Sequence, residues 1–179
     1  AAINDNDLIA RAVDKFGSST IVIAIEAIKQ SNGEYHAFTD NGREQTGIDV
    51  VEWAHKVEKL GAGEILLTSV DAEGTGNGAD IDLINSVAKE VNIPLIVHGG
   101  VGNVDHIIDI VASTKASAVA LSSILHYEAI SKVTEGITHP ESEGNREFLS
   151  SNRIVKHIDA TTIKIIKQKL SEFGLEVRL

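Results

Sequence analysis

The sequence predicts an α/β protein built on a parallel sheet. Four apolar segments rich in β-branched residues alternate with segments whose apolar residues recur at helical spacing. Strict alternation of strands and helices is typical of parallel β/α units. No low-complexity linker interrupts the pattern, and 42% of residues are hydrophobic. We therefore expect residues 1–179 to form a single domain. The predicted strands span residues 20–25, 64–69, 94–98 and 116–121.

The first part of the chain combines a helix, a strand and a β-ribbon. The helix is predicted over residues 6–16, because its apolar residues fall on one face and Gly17 stops it. The strand at 20–25 is continuously apolar, which is typical of a strand buried on both faces. Turn signals on either side of residues 34–39 predict a small β-ribbon after that strand.

Helices are predicted between the later strands and at the end of the chain. Three of them cover residues 49–60, 81–91 and 104–112. A polar, turn-rich stretch at about 134–156 predicts an inserted surface loop. The last helix is predicted over 159–173, with Asp159 as its N-cap and Gly174 after its end. We expect this helix to close the bottom of the core.

Composition excludes several classes of function. A net charge of −10 argues against binding a nucleic-acid backbone, which needs clustered Lys and Arg. No apolar run approaches the roughly 20 residues of a membrane span, and the first residues lack the order of a signal peptide. We therefore expect a cytoplasmic protein without a membrane partner. The chain has no cysteine, and its 7 histidines lack metal-binding spacing, so we expect neither a metal nor a cofactor.

Small and glycine-rich residues follow three of the predicted strands. In parallel α/β folds ligands bind beyond the carboxyl ends of the strands. Glycine allows a backbone to approach an anion, and helix N-termini favour phosphate. These segments predict a phosphate site, although tight turns alone would also account for the glycines. The segments are Asp71–Thr75, Gly99–Gly100 and Ser122–Ser123.

Glu26 ends the first apolar strand, where a carboxylate is costly unless it is paired or useful. Two interpretations stay open, a catalytic carboxyl group and a structural residue in a salt bridge. His98 is the histidine placed nearest to the expected site. We expect the other histidines to be surface or packing residues.

The segment GAGEILLTSVDAEGTGNGADIDLI at residues 61–84 resembles the strand-six region of the cyclase subunit family of imidazole glycerol phosphate synthase. The resemblance covers nearly the whole chain except roughly 134–156. It implies a (β/α)₈ TIM barrel, of which this chain supplies the C-terminal half, strands five to eight with their helices. Similar segments follow in the family's order: FGSSTIVIAIEA, the ribbon at 32–49, IPLIVHGGVGN, ASAVALSSILHY and the closing GLEVRL.

The resemblance also implies an activity and partners. Members of that family take ammonia from a glutaminase (glutamine amidotransferase) subunit through the barrel. They use it to convert a bis-phosphorylated ribulosyl aminoimidazole carboxamide to imidazole glycerol phosphate and an aminoimidazole carboxamide ribotide. This implies a carbon–nitrogen lyase of histidine biosynthesis that works in a heterodimer and binds a phosphorylated small molecule.

Individual positions carry over from the resemblance. Glu26 stands where the family has a catalytic aspartate on strand five, and its partner on strand one lies outside this sequence. Glu64 matches an acidic residue of the gate where ammonia enters the barrel, and Glu73 stands where the family usually has aspartate. The positions that line the pocket or bind phosphate are Thr68, Gly74, Thr75, Gly99, Gly100, Ser122 and Ser123.

Other functions remain open at this point. One is a paralogous ammonia-channelling protein that serves amidation of a surface sugar, favoured by Glu26 and the predicted inserted loop. Another is a non-catalytic half-barrel that binds phosphate. The sister isomerase of the pathway fits less well, because TSVDAEGT and the VRL ending resemble the cyclase. Four strands leave two open sheet edges, so we expect association with a missing N-terminal half-barrel or self-association.

Overall fold

The computed structural model describes residues 1–134 and 157–178, which form a six-stranded sheet with helices packed on one face. The strand order is β3-β2-β1-β4-β5-β6. Strands β1, β4, β5 and β6 are parallel, and β2 and β3 form an antiparallel ribbon on β1. The strands are β1 Val22–Lys29, β2 Tyr35–Thr39, β3 Glu44–Asp49, β4 Glu64–Ser69, β5 Leu95–His98 and β6 Ala118–Val119.

Three of the helices between strands begin where a side chain accepts hydrogen bonds from free backbone N–H groups. Asp49 caps α2, Asp80 caps α3 and Asn103 caps α4. The helices are α1 Asp7–Phe16, α2 Val50–Lys59, α3 Ile81–Ala88, α4 Val104–Ser113, α5 Ser123–Thr134 and α6 Ile163–Glu172. The alternation of parallel strands and helices confirms the predicted fold class, and the structure is a partial barrel whose sheet is not closed.

The core lies between the sheet and its helices. Ile25, Ile65 and Leu67 point to the helical face and are almost completely buried. Each such side chain contributes about 1.5–3 kcal/mol by its removal from water. The opposite face is open, since Val22 is 47% exposed and Ala24 is also exposed. The prediction that the first strand is buried on both faces is therefore wrong for this chain.

The last helix differs from its prediction. It begins at Ile163, and Thr162 caps it by accepting a hydrogen bond of 3.3 Å from the N–H of Ile165. Asp159 is not the cap, because its own N–H donates to the carbonyl oxygen of Gly102 at 2.7 Å and holds that stretch away from the helix. Ile163 and Phe173 are about half exposed, whereas Ile166 and Leu170 pack in the smaller apolar cluster beside α4 and α5.

Two strands were hard to predict. The local pattern does not predict the second ribbon strand, β3, because Glu44 and Gln45 are exposed and the strand lacks apolar alternation, although the resemblance includes these residues in the ribbon. The sheet edge β6 is shorter than its predicted range of 116–121, since only Ala118 and Val119 pair with β5. The predicted inserted loop lies, apart from Thr134, outside the described residues. No helix within residues 1–134 and 157–178 is long and apolar enough to cross a membrane.

Candidate functional site

Three polar side chains form a row across the open face of the sheet. Glu26 on β1 lies directly opposite Thr68 on β4, and Thr68 lies opposite His98 on β5. Neighbouring strands are about 4.8 Å apart, so the row spans about 10 Å. All three side chains are partly exposed. This places a carboxyl, a hydroxyl and an imidazole group side by side near the carboxyl ends of the strands.

Glu26 does not follow the first strand but lies within it, because β1 continues to Lys29. Its Oε2 accepts a hydrogen bond of 2.9 Å from the backbone N–H of Gly42 in the ribbon turn. Gly42 has a φ of 76°, and an added Cβ would lie 2.7 Å from Cγ1 of Val70. The carboxylate therefore holds the ribbon turn, and no salt bridge involves Glu26 in the described part of the chain.

A cavity of about 260 Å³ adjoins Glu26 on the side of the ribbon. Thr39, Asp40 and Asn41 from the end of β2 contribute polar groups to it, and Trp53 and the first residues of the chain contribute apolar surface. Residues 23–25 of β1, which do not pair with β2, also line the cavity. Glu26 thus borders two spaces, this cavity and the open face of the sheet.

The loop after β4 contains Gly74 and Thr75. Gly74 has a φ of 73°, and nothing lies within 4 Å of the position that a Cβ would take. The Thr75 hydroxyl donates to the carbonyl oxygen of Ala72 at 2.7 Å and accepts from the N–H of Asn77 at 3.2 Å. In this structure the hydroxyl therefore closes the turn, while the space beside Gly74 is open.

The loop after β5 packs backbone to backbone against its neighbours. An added Cβ at Gly99 would lie 2.6 Å from the carbonyl oxygen of Ser69, and one at Gly100 only 1.9 Å from that of Gly78. The N–H of Gly78 donates to the carbonyl oxygen of Gly100 at 2.8 Å. Only glycine fits at these two positions, so the glycines bring the loops after β4 and β5 into contact.

The loop after β6 leads directly into α5. The carbonyl oxygen of Ser122 accepts hydrogen bonds from the N–H groups of Leu125 and His126, which form the first turn. Val101 of the neighbouring loop packs in the same apolar cluster as Ile124. The start of α5 thus lies beside the loop after β5, and helix N-termini present N–H groups that favour anions.

Glu64 lies at the opposite end of the same face. It is four residues before Thr68 in β4, which corresponds to about 13 Å at about 3.3 Å per residue. Its Cα partner on β1 is Val22. Glu64 is therefore at the amino-terminal rim, away from the glycine-rich loops, and the structure does not bring it together with the other candidate residues.

A polar contact joins the ribbon to the start of α3. The Tyr35 hydroxyl donates to the Asp80 carboxylate, with oxygen distances of 3.0 and 2.9 Å. Burial raises the pKa of Tyr35, and a hydrogen bond to Tyr35 raises the pKa of Lys29. Periodicity did not single out this contact, although Asp80 directly precedes a predicted helix.

Spacing also did not single out His106, which we expected to be a surface or packing histidine. Its Nδ1 accepts a hydrogen bond of 3.1 Å from the N–H of Gly102, in the loop after β5. Residues 1–134 and 157–178 contain no group of three or more His, Cys, Asp or Glu side chains placed to hold a metal ion.

Comparisons with known proteins give a consistent picture. The model of a family described as "Histidine biosynthesis protein" matches residues 1–131. The imidazole glycerol phosphate synthase subunit HisF of Prochlorococcus marinus (strain AS9601) is 50% identical over 128 residues, which is 70% of this chain and 50% of that protein. HisF of Lactococcus lactis subsp. cremoris is 47% identical over 128 residues, 71% of this chain and 49% of that protein.

HisF of Trichormus variabilis is 46% identical over 134 residues, which is 73% of this chain and 52% of that protein. The chain therefore spans about half the length of the curated relatives that it matches.

Proposed function

The chain belongs to the histidine biosynthesis protein family, and from this premise we propose that it is the C-terminal half of an imidazole glycerol phosphate synthase cyclase. The proposed reaction uses ammonia to convert a bis-phosphorylated ribulosyl aminoimidazole carboxamide to imidazole glycerol phosphate and an aminoimidazole carboxamide ribotide. The main support is the row of Glu26, Thr68 and His98, because it lies at the carboxyl ends of the strands beside two glycine-rich loops.

In this proposal Glu26 is a general acid or base. Proton transfer requires heavy atoms within about 2.6–3.2 Å, and glutamate reaches one methylene further than the aspartate of the family. The hydrogen bond from Gly42 holds Oε2, and Oε1 makes no hydrogen bond among the described residues. Oε1 is thus the atom that exchanges the proton. The second carboxyl group of the reaction has to come from strand one of a complete barrel.

The two phosphate groups of the substrate are assigned to two sets of loops. Gly74 and Thr75 bind one end, where the space beside Gly74 is open. The loop at Gly99–Gly100 and the start of α5 at Ser122–Ser123 bind the other end, and their packing places them side by side. Thr68, opposite His98 on the open face of the sheet, is assigned to the lining of the substrate pocket.

The open sheet face needs a partner. Val22 is half exposed and Leu66 is partly exposed, and together they form apolar surface where a closed barrel has its interior. We assign this face to an N-terminal half-barrel. We assign the rim at Glu64 to the ammonia gate and the glutaminase subunit of a cytoplasmic heterodimer. The residues at 134–156 remain proposed as an insertion within the single domain.

A second candidate is a phosphate-binding half-barrel without turnover. It is supported by the sheet, which is not closed, and by the engagement of both Glu26 and Thr75 in contacts within the chain. In such a protein Glu26 would serve the ribbon alone. The two candidates differ in whether Glu26 is needed for a reaction.

The deciding experiment mixes this chain with the N-terminal half of the Prochlorococcus marinus relative and supplies ammonium salt and the ribulosyl substrate. Release of aminoimidazole carboxamide ribotide is followed by chromatography. We expect turnover with the wild-type chain and at least a hundredfold loss with Glu26→Gln, in line with the about 10²–10⁴-fold effect of a general acid or base. Thr39→Val, a change on the cavity wall, is the matched control. Equal rates for wild type and Glu26→Gln would refute the role of Glu26, and phosphate binding without any turnover would favour the second candidate.

A further inference from the structure

The imidazole of His106 connects the glycine-rich loops at the carboxyl end of the sheet. Its Nδ1 accepts the N–H of Gly102 at 3.1 Å, in the loop after β5. Its ring also lies beside the loop after β4, because a Cβ added at Gly78 would be 3.8 Å from the ring. The carbonyl oxygen of Gly102 accepts a hydrogen bond of 2.7 Å from the N–H of Asp159. One side chain thus links both loops and, through Gly102, the segment before α6.

The hydrogen bonds determine the tautomer of His106. A backbone N–H is always a donor, so Nδ1 must be the unprotonated acceptor and the ring hydrogen lies on Nε2. The amide of Asn103 lies 3.4 Å from Nε2 through its Nδ2 atom. Asn103 Oδ1 accepts the N–H of His106 at 3.0 Å, so Nδ2 is the amide group that faces Nε2. Both of these nitrogens are donors in this tautomer, and they form no hydrogen bond with each other.

The backbone around Gly102 packs closely against neighbouring segments and leaves no space for a side chain at this position. An added Cβ at Gly102 would lie 2.1 Å from the carbonyl oxygen of His157 and 2.3 Å from that of Gly76. Gly99 and Gly100 have φ values of 104° and 87°, which other residues rarely adopt. Glycine-rich segments lose much conformational freedom when they are ordered. A contact that holds the loop before an anion arrives therefore lowers the entropic cost of binding the anion with backbone amides.

We propose that His106 is a positioning residue for phosphate binding. Its Nδ1 holds the N–H of Gly102 and so fixes residues 99–102 in the conformation that binds a phosphate ester. His106 does not touch the phosphate in this role. The inference rests on the proposed function, because it requires the loop after β5 to be a phosphate site.

Two substitutions separate the acceptor from the bulk of the side chain. In His106→Asn, Oδ1 takes the place of Nδ1, whereas in His106→Gln the acceptor oxygen takes the place of Nε2. Inorganic phosphate is titrated into the 179-residue chain by calorimetry, and thermal unfolding shows that each variant is folded. We expect His106→Asn to keep the wild-type affinity within about twofold. His106→Gln should lose about five- to tenfold, as expected when one ordering hydrogen bond is lost.

Equal affinity of the wild type and His106→Gln would overturn the inference, as would an equal loss in both variants. If the wild-type chain does not bind phosphate, the proposed phosphate site itself fails, and the inference fails with it. Should His106→Gln not fold, nitrogen NMR of the wild-type imidazole decides. A pyridine-type Nδ1 supports the proposed role, and a protonated Nδ1 contradicts it.

Discussion

The Glu26 carboxylate accepts a hydrogen bond of 2.9 Å from the backbone N–H of Gly42, so a proposed acid or base also holds the turn of the ribbon. This contact separates two properties of the side chain. Its length sets the contact with Gly42, and its carboxyl group sets any proton transfer. Substitutions that change the length and keep the carboxyl group, or the reverse, test the contact with Gly42 and the proton transfer separately.

Glu26→Asp should destabilise the fold more than Glu26→Gln. Gln keeps the length and an acceptor oxygen for Gly42, so its free energy of unfolding should stay within about 0.5 kcal/mol of wild type. Asp keeps the carboxyl group but draws it back from Gly42, which should cost about 1 kcal/mol. Urea unfolding of both variants measures these changes. A destabilised Glu26→Gln beside an unchanged Glu26→Asp would show that the contact with Gly42 does not stabilise the fold.

The glycines of the two loops should not be equivalent. Gly100→Ala places a Cβ 1.9 Å from the carbonyl oxygen of Gly78, which forces the two loops apart. Gly74→Ala meets no atom within 4 Å, and its cost is the positive φ alone, about 1–2 kcal/mol. We expect Gly100→Ala to cost more than about 3 kcal/mol or to prevent folding. Urea unfolding of the pair tests this, and equal costs would contradict the contact between the loops.

Gly99 and Gly100 also show which part of the site the sequence predicts. The pair at Gly99–Gly100 was recognised as a loop after a strand, because apolar segments and turn residues are local features. The reason that glycine is needed is not local. It is the approach of the Ser69 and Gly78 carbonyl oxygens, which are distant in sequence.

The strands show the same division. β4 has its predicted bounds, since its apolar residues are continuous. The apolar pattern does not predict β3, because β3 is a polar edge strand that is defined by its pairing with β2, and only the family resemblance included its residues in the ribbon. The cap of the last helix was misassigned to Asp159, because the hydrogen bond that removes its N–H goes to Gly102, more than fifty residues earlier. Local pattern thus predicted the elements, and long-range contacts determined their ends and the roles of single side chains.

Tyr35 should stabilise the fold in a pH-dependent way. Tyr35→Phe removes the hydroxyl that donates to Asp80 and should cost about 1 kcal/mol at neutral pH. Burial raises the pKa of Tyr35 above its ordinary value of about 10, so the native state favours the neutral phenol. The contribution is complete below the pKa of the unfolded chain and is lost as the pH rises through the higher pKa of the folded state.

The raised pKa of Lys29 acts in the same direction, because the interaction with Tyr35 makes the folded state favour the charged form of Lys29. The difference in the free energy of unfolding between wild type and Tyr35→Phe should therefore shrink as the pH rises from about 9 to 11. Denaturant unfolding across this range measures it, with the other titrating groups common to both proteins. A difference that grows with pH would mean that the buried phenol is not favoured as the neutral form.

The open sheet face should control association. Val22 is 47% exposed on this face, so the 19.1 kDa chain leaves apolar surface in water when no partner covers it. We expect the wild-type chain to self-associate with increasing concentration in analytical ultracentrifugation, and to bind an added N-terminal half-barrel instead when one is present. Val22→Lys places a charge on this face, so the variant should be a folded monomer at all concentrations.

Ala112→Lys is the matched control, because Ala112 is exposed on α4, away from the open face. Ala112→Lys should associate like the wild type. It introduces the same lysine side chain as Val22→Lys, and the two variants differ in the location of the added charge. If Val22→Lys and Ala112→Lys associate equally, the contact lies elsewhere, for example at the exposed apolar residues of α1 or α6. A wild-type chain that stays single at all concentrations would show that the open face is stable in water, which removes the energetic reason for a covering half-barrel.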